Sequence, residues 1–210
     1  MPRLMDIGLD RLNGLLLDMA TLSQQAVSAS IDAYSLGSKG TEVRQMSNRL
    51  HALHRQVSDL SMEMIARYQP VASDLRFLRA CMEISYGFFR YGRYALDITS
   101  VLEVFGDLSK CDKKFVVDTA KKTQEMIRMS VEAFAKRDLE MARNLPKMDD
   151  MIDEAYRSNL RKTLEKKGGD IKCALSSALI LRYLERIADH ASYIGESVEY
   201  IATGIEPKLD

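Results

Sequence analysis

Apolar residues recur at three- and four-residue steps along almost the whole chain, the spacing of one face of an α-helix. Leu9, Leu12, Leu16, Met19, Ala20, Val27, Ile31 and Tyr34 predict a helix over 4–36, weakened at its start by Gly8 and Gly14 and ended by Gly37-Ser-Lys-Gly40. Val43, Met46, Leu50, Leu53, Val57, Leu60, Met64 and Ile65 predict a second from Thr41, with Glu42 favouring its first turn, until Pro70 stops it. Ser73 or Asp74 caps a third, which runs to Phe105, and 106–112 is a connector. A fourth, from Asp112 to Lys136, carries Phe115, Val116, Thr119, Met126, Ile127, Met129 and Phe134. Arg137-Asp138 breaks it, and a fifth runs from Asp138 to Lys167 with Pro146 kinking its first turns. The sixth follows Gly168-Gly169, with Asp170 as N-cap and Ile180, Leu184, Ile187, Ala191, Ile194, Val198 and Ile201 as its stripe, and Gly204 with Pro207 closes it.

Six long helices with short connections predict an all-α bundle of antiparallel neighbours. The second half also repeats the first. A shift of 96 places Asp74 over Asp170, Arg90 over Arg186, Ala95 over Ala191 and Ile98 over Ile194. A shift of 100 places Ser30-Ile31-x-Ala33-Tyr34 over Ser130-Val131-x-Ala133-Phe134, and a shift of 102 places Leu50 over Ile152. The chain therefore divides into two copies of a three-helix unit, 1–107 and 108–210.

Composition narrows the function. Thirty basic and thirty acidic residues cancel, so nothing pulls the chain toward nucleic acid or an anionic membrane. No apolar run approaches the length of a membrane span, and the start MPRLMDIGLDRLNG lacks the pattern of a signal peptide. Cys81, Cys111 and Cys173 are odd in number and widely spaced, which argues against a disulfide framework or thiolate zinc site and suits a reducing cytoplasm.

The candidate chemistry is acidic. Glu185 and Asp189 stand four apart beside the stripe of the sixth helix, roughly 6 Å apart along its axis. Asp149 and Asp153 repeat that spacing around Ile152 on the fifth. If the two pairs face one another, four carboxylates converge, and hard oxygen ligands suit Mg, Ca, Mn, Zn or iron. A pair of solvated flanks is the competing reading. The Glu-x-x-His step of di-iron bundles is missing, as are a P-loop, a Rossmann glycine motif and a Gly-x-Ser-x-Gly nucleophile.

Pro70-Val-Ala-Ser-Asp-Leu-Arg76 and Arg182-Tyr-Leu-Glu-Arg-Ile-Ala-Asp-His-Ala191 together resemble the PhoU family of phosphate-uptake regulators, and the resemblance covers nearly the whole chain. It implies two tandem antiparallel three-helix bundles side by side. It also implies metal clusters, multinuclear iron or zinc among them, held by Glu/Asp-x-x-x-Asp motifs that match Asp149, Asp153, Glu185 and Asp189 here. Asp150 and His190 stand close by in sequence. The first copy departs from the pattern: Ser47, His51, Phe89 and Arg93 occupy the corresponding positions, so no first cluster is expected. Arg93 and His51 are read as a surface or dimer contact, or less readily as an anion site. His51 and His54 are read as rim residues, and His190 as a partner to a neighbouring helix. Tyr86, Phe88, Phe89, Tyr91 and Tyr94 exceed one stripe, so some are expected at a subunit interface.

The resemblance implies a cytoplasmic, non-enzymatic regulator that represses phosphate-starvation signalling by docking to a sensor histidine kinase and the phosphate transporter's ATPase, and that forms a homodimer. A metal-dependent phosphohydrolase and a plain helical adaptor of another transporter are the alternatives.

Overall fold

In the computed structural model, which describes residues 4–165 and 168–205, six helices account for nearly the whole chain. They are α1 (Leu4–Leu36), α2 (Glu42–Tyr68), α3 (Ala72–Phe105), α4 (Lys114–Lys136), α5 (Leu139–Glu165) and α6 (Ile171–Thr203). The expected end of the fifth helix at Lys167, and Pro207, lie outside the described residues. Within each half the three helices pack on one another, and the halves join through α3 against α6 and α1 against α4. This is the tandem antiparallel three-helix architecture. No described helix is long and apolar enough to cross a membrane.

The predicted stripes form one core that runs through both halves. Leu12, Leu16, Met19, Leu50, Ile84, Ile98, Met126, Leu184 and Ile187 are among its buried members. Phe115 is the exception: it is 37% exposed, with the Lys162 ammonium 5.3 Å above its ring. The repeat extends to hydrogen bonding, since Ser30 donates to Val27 O (2.7 Å) and Ser130 to Ile127 O (2.8 Å). Along α3 and α6, Arg79 meets Tyr200, Gly87 meets His190 and Tyr94 meets Tyr183, so the helices are antiparallel. The 96-residue shift converts the Tyr94–Tyr183 contact into the His190–Gly87 contact, the signature of a pseudo-twofold axis crossing near Arg90 and Arg186.

Identifiable caps close several helix ends. Asp170 accepts from the Lys172 amide (2.8 Å), Asp138 from Met141 (3.0 Å), and Gly204 ends α6 at φ 73°. Neither Ser73 nor Asp74 caps α3. That helix follows Val71, whose backbone is extended, and Asp74 falls inside the first turn, where a negative charge meets the helix dipole favourably.

Two features shape the packing beyond what helical spacing discloses. Helix α5 runs unbroken through Pro146, which cannot donate to the Ala142 carbonyl one turn back. That carbonyl lies against Gly195 of α6, where a Cβ would stand 2.9 Å from the oxygen. Cys111 and Cys173, expected as free thiols, form a disulfide between the α3–α4 connector and the first turn of α6. They meet because antiparallel α3 and α6 bring the end of one beside the start of the other. The bond encloses α4 and α5 in a loop with a sequence separation of 62, which in the chain-entropy account stabilises the fold by about 4 kcal/mol.

Two glycine substitutions separate packing from propensity. Gly195→Ala must push α6 off an α5 backbone carbonyl and should destabilise the protein by about 1–3 kcal/mol. Gly14→Ala, with nothing within 4 Å of the added Cβ, should stabilise it by about 0.5–1 kcal/mol. Urea unfolding followed by circular dichroism reads both.

Candidate metal centre

The close approach of α5 and α6 at Gly195 sets the register that builds the site. Ile152 and Leu145 of α5 and Leu184 and Ala188 of α6 point into the core, so Asp149, Asp153, Glu185 and Asp189 flank the seam. Two turns before Gly195 on antiparallel α6, Asp189 faces Asp149 and Asp153. One carboxylate oxygen from each of these three aspartates lies within 4.8 Å of the other two, and all three residues are half-buried. Glu185 is not among that converging set: it is 8% exposed, and one of its oxygens takes the Arg182 guanidinium.

Arginines surround the cluster without filling it. Arg186 approaches Asp189 at 3.3 Å and Arg157 approaches Asp153 at 3.1 Å, each from the acid's own helix. Asp149 carries no ion pair among the described residues. Asp149 Oδ1, Asp153 Oδ1 and Glu185 Oε2 are all buried without a hydrogen-bond partner. Such orphaned oxygens are costly, because each has lost water and gained nothing in return.

The electrostatics follow from this crowding. Burial, then Asp189 and Asp153, push the Asp149 carboxyl up to about 7, while the neighbouring Ser192 hydroxyl pulls the other way. Burial and Asp189 raise Glu185 against the pull of Arg182, and burial, with a push from Asp153, raises Asp189 against Arg186. Two unit charges within 4.8 Å repel by about 3.5 kcal/mol at an effective dielectric of about 20. An exposed arginine returns only about 0–1 kcal/mol. The cluster is relieved by a proton on Asp149 or by a cation among the three. An all-oxygen donor set with unpartnered inward oxygens fits a hard cation.

The remaining acidic and histidine candidates lie elsewhere. Asp150 is exposed. His190 packs against Tyr86, Tyr94 and Tyr193, with ring centroids 5.7, 5.9 and 5.5 Å away. Burial, with Arg90 and Arg186, lowers it to about 4, so it is neutral at physiological pH. In the first half, the positions corresponding to the cluster hold rings and an ion pair. Phe89 stacks on His54 (5.7 Å) and meets His51 in a tilted contact (5.1 Å), His54 Nδ1 bonds Ser85 Oγ (2.8 Å), and Arg93 pairs with Asp97 (3.5 Å). His51 is exposed and His54 half-buried. Sequence reading assigned no role to Arg157, Arg182, Arg186 or Ser192. The only signal was arginine spacing of three or four from Asp153, Glu185 and Asp189, which also occurs on any solvated helix.

A tandem pair of three-helix units, one of them carrying a carboxylate cluster at its α5–α6 seam, defines the class as an all-helical two-repeat protein. The PhoU domain pattern matches residues 16–102 and again 116–198, and the chain belongs to the PhoU family. It is 31% identical to the phosphate-specific transport system accessory protein PhoU homolog of Synechocystis sp., over 78% of this chain and 74% of that one. It is 30% identical to the homolog of the same name from Deinococcus radiodurans, over 92% and 93%. The crystal structure of PhoU from Pseudomonas aeruginosa superposes with a TM-score of 0.88 at 26% identity, covering 95% of this chain and 99% of that one. The phosphate transport system regulatory protein PhoU from Streptococcus pneumoniae shares the fold, with a TM-score of 0.83 at 24% identity over 98% and 100%.

Without metal, the raised Asp149 carboxyl sets a pH dependence of known sign. Its folded-state value of about 7 exceeds the unfolded 3.8, so the native state holds the extra proton and gains stability that is complete below 3.8. That gain is lost as the pH rises through about 7. The urea midpoint of chelator-stripped protein should therefore fall across that window, and Asp149→Asn should flatten the fall.

Proposed function

We propose that this chain is a metal-binding accessory protein of a phosphate-specific transport system, working in the cytoplasm to repress phosphate-starvation signalling when phosphate is plentiful. The observation that carries the regulatory reading is the match of both halves to the PhoU domain, together with accessory proteins of that transport system as relatives along most of its length. The partners are the sensor histidine kinase and the transporter's ATPase, and the working form is a homodimer. The outer α3/α6 face supports docking: Tyr86 and Tyr193 are 41% and 47% exposed beside Arg90 and Arg186, and tyrosine and arginine are enriched at interfaces.

The metal reading rests on the cluster. Asp149, Asp153 and Asp189 would hold a divalent or trivalent ion, iron or zinc, in a mononuclear or multinuclear site, with Glu185 at its edge. The ion supplies positive charge that removes the repulsion between α5 and α6. The chain's own residues do the rest. Arg157, Arg182 and Arg186 hold Asp153, Glu185 and Asp189, and the Gly195–Ala142 contact fixes the helix spacing. Bound metal thereby makes the second half a rigid docking body. The non-enzymatic reading is supported by the family, whose relatives along most of the chain are accessory proteins of a transport system.

A strain lacking the chain should express a phosphate-starvation reporter even in phosphate-rich medium, and the wild-type chain should silence it. The Asp149→Asn/Asp153→Asn/Asp189→Asn variant should purify folded, with metal at background by elemental analysis, and should fail to silence the reporter. Silencing by that variant would detach regulation from the cluster. Phosphoester turnover by the metal-loaded wild type, lost in the variant, would replace the regulatory reading with the hydrolase.

A further inference from the structure

We propose that Cys111 and Cys173 form a reversible thiol–disulfide site, oxidised by small-molecule disulfides of the glutathione type, which fastens the connector between the halves to the start of α6. The bond joins two residues that are half-buried near the surface and not sealed in the core. Cys81 provides the contrast. It is fully buried, and burial pushes its thiol up to about 12, which leaves it inert in the folded protein.

Position gives the two cysteines different roles. With Asp170 as the N-cap, Cys173 occupies the third position of α6. There the unpaired amides of the first turn favour a thiolate. Lys172 beside it reaches across to the connector, donating to Asp107 O at 2.7 Å. The neighbouring acids are turned to backbone amides, Asp170 toward Lys172 (2.8 Å) and Asp112 toward Lys114 (3.0 Å). Cys173 is therefore the attacking thiol. Cys111, on a connector between Lys110 and Lys113, is the resolving one.

The chemistry balances in two exchanges. The Cys173 thiolate attacks one sulfur of the small disulfide, and a mixed disulfide forms as one small thiolate leaves and takes up a proton. The Cys111 thiolate then attacks Cys173 Sγ, and the second small thiolate leaves. The protein dithiol loses two electrons and two protons, and the small disulfide becomes two thiols. Excess small thiol drives the reverse. Oxidation ties the connector to α6 and reduction leaves the Lys172–Asp107 bond to hold them, so the redox state of the surroundings sets the local mobility where the two halves meet.

The test equilibrates the full chain in glutathione buffers of graded thiol-to-disulfide ratio, quenches it with acid, alkylates it and maps the peptides by mass spectrometry. Cys111 and Cys173 should oxidise together as one two-electron couple, while Cys81 is alkylated only after unfolding. Cys111→Ser should accumulate glutathione on Cys173, whereas Cys173→Ser should accumulate far less on Cys111. Tryptic cleavage after Lys110 or Lys113 should be slower in the oxidised protein, on the order of tenfold, because cleavage follows the open population. A linked peptide that never forms, or one that no glutathione ratio can form or break, would overturn the proposal. So would equal cleavage of oxidised wild type and Cys173→Ser.

Discussion

Three aspartates pressed together at a helix seam are the constraint around which this structure is arranged. Each carboxylate gives up water, and each adds to the charge the others must bear. Nothing in the packing demands acids there, since Leu145, Ile152, Leu184 and Ala188 already seal the core below them. What brings the acids close is backbone geometry. Pro146 leaves the Ala142 carbonyl without its helical donor, and Gly195 lets that carbonyl approach α6 closely. The narrow seam thus imposes the repulsion, and a proton or a cation relieves it.

The two halves share a plan and have diverged in chemistry. The repeated serine bonds and the antiparallel α3/α6 crossing express the symmetry between the halves. At the corresponding seam of the first half, however, Phe89 fills the place of Glu185 and packs against two histidines, stacked on His54 and tilted to His51, while Arg93 turns to Asp97. Ring stacking and an ion pair cohere without a bound ion. The second half therefore carries the ion-dependent part of the proposed function, and the first offers a stable platform.

Much of the architecture was legible because helical periodicity is a local property. Leu12, Leu50, Ile98, Ile127 and Ile187 are buried where their spacing places them, and Asp170 and Gly204 end α6 as their chemistry directs. The failures share a cause. The start of α3 depends on the backbone at Val71 and Ala72, with no side chain closing the turn. Phe115 fits the stripe of α4 yet lies near its end, where there is too little neighbouring helix to cover it. The Cys111–Cys173 bond depends on which helix ends meet in space, and 62 intervening residues hide that. At the cluster, four-residue spacing placed the acids on two helices that pack together, and three of them converge. It could not separate Glu185, turned toward Arg182, from the three aspartates that converge.

The account is tested most directly by anomalous diffraction from crystals of the protein grown with iron, zinc or manganese and recorded on either side of the metal's absorption edge. It predicts a peak enclosed by the Asp149, Asp153 and Asp189 carboxylates, absent from crystals of the triple asparagine variant. A map with no peak at that seam, or with the metal held only at other residues, would contradict it.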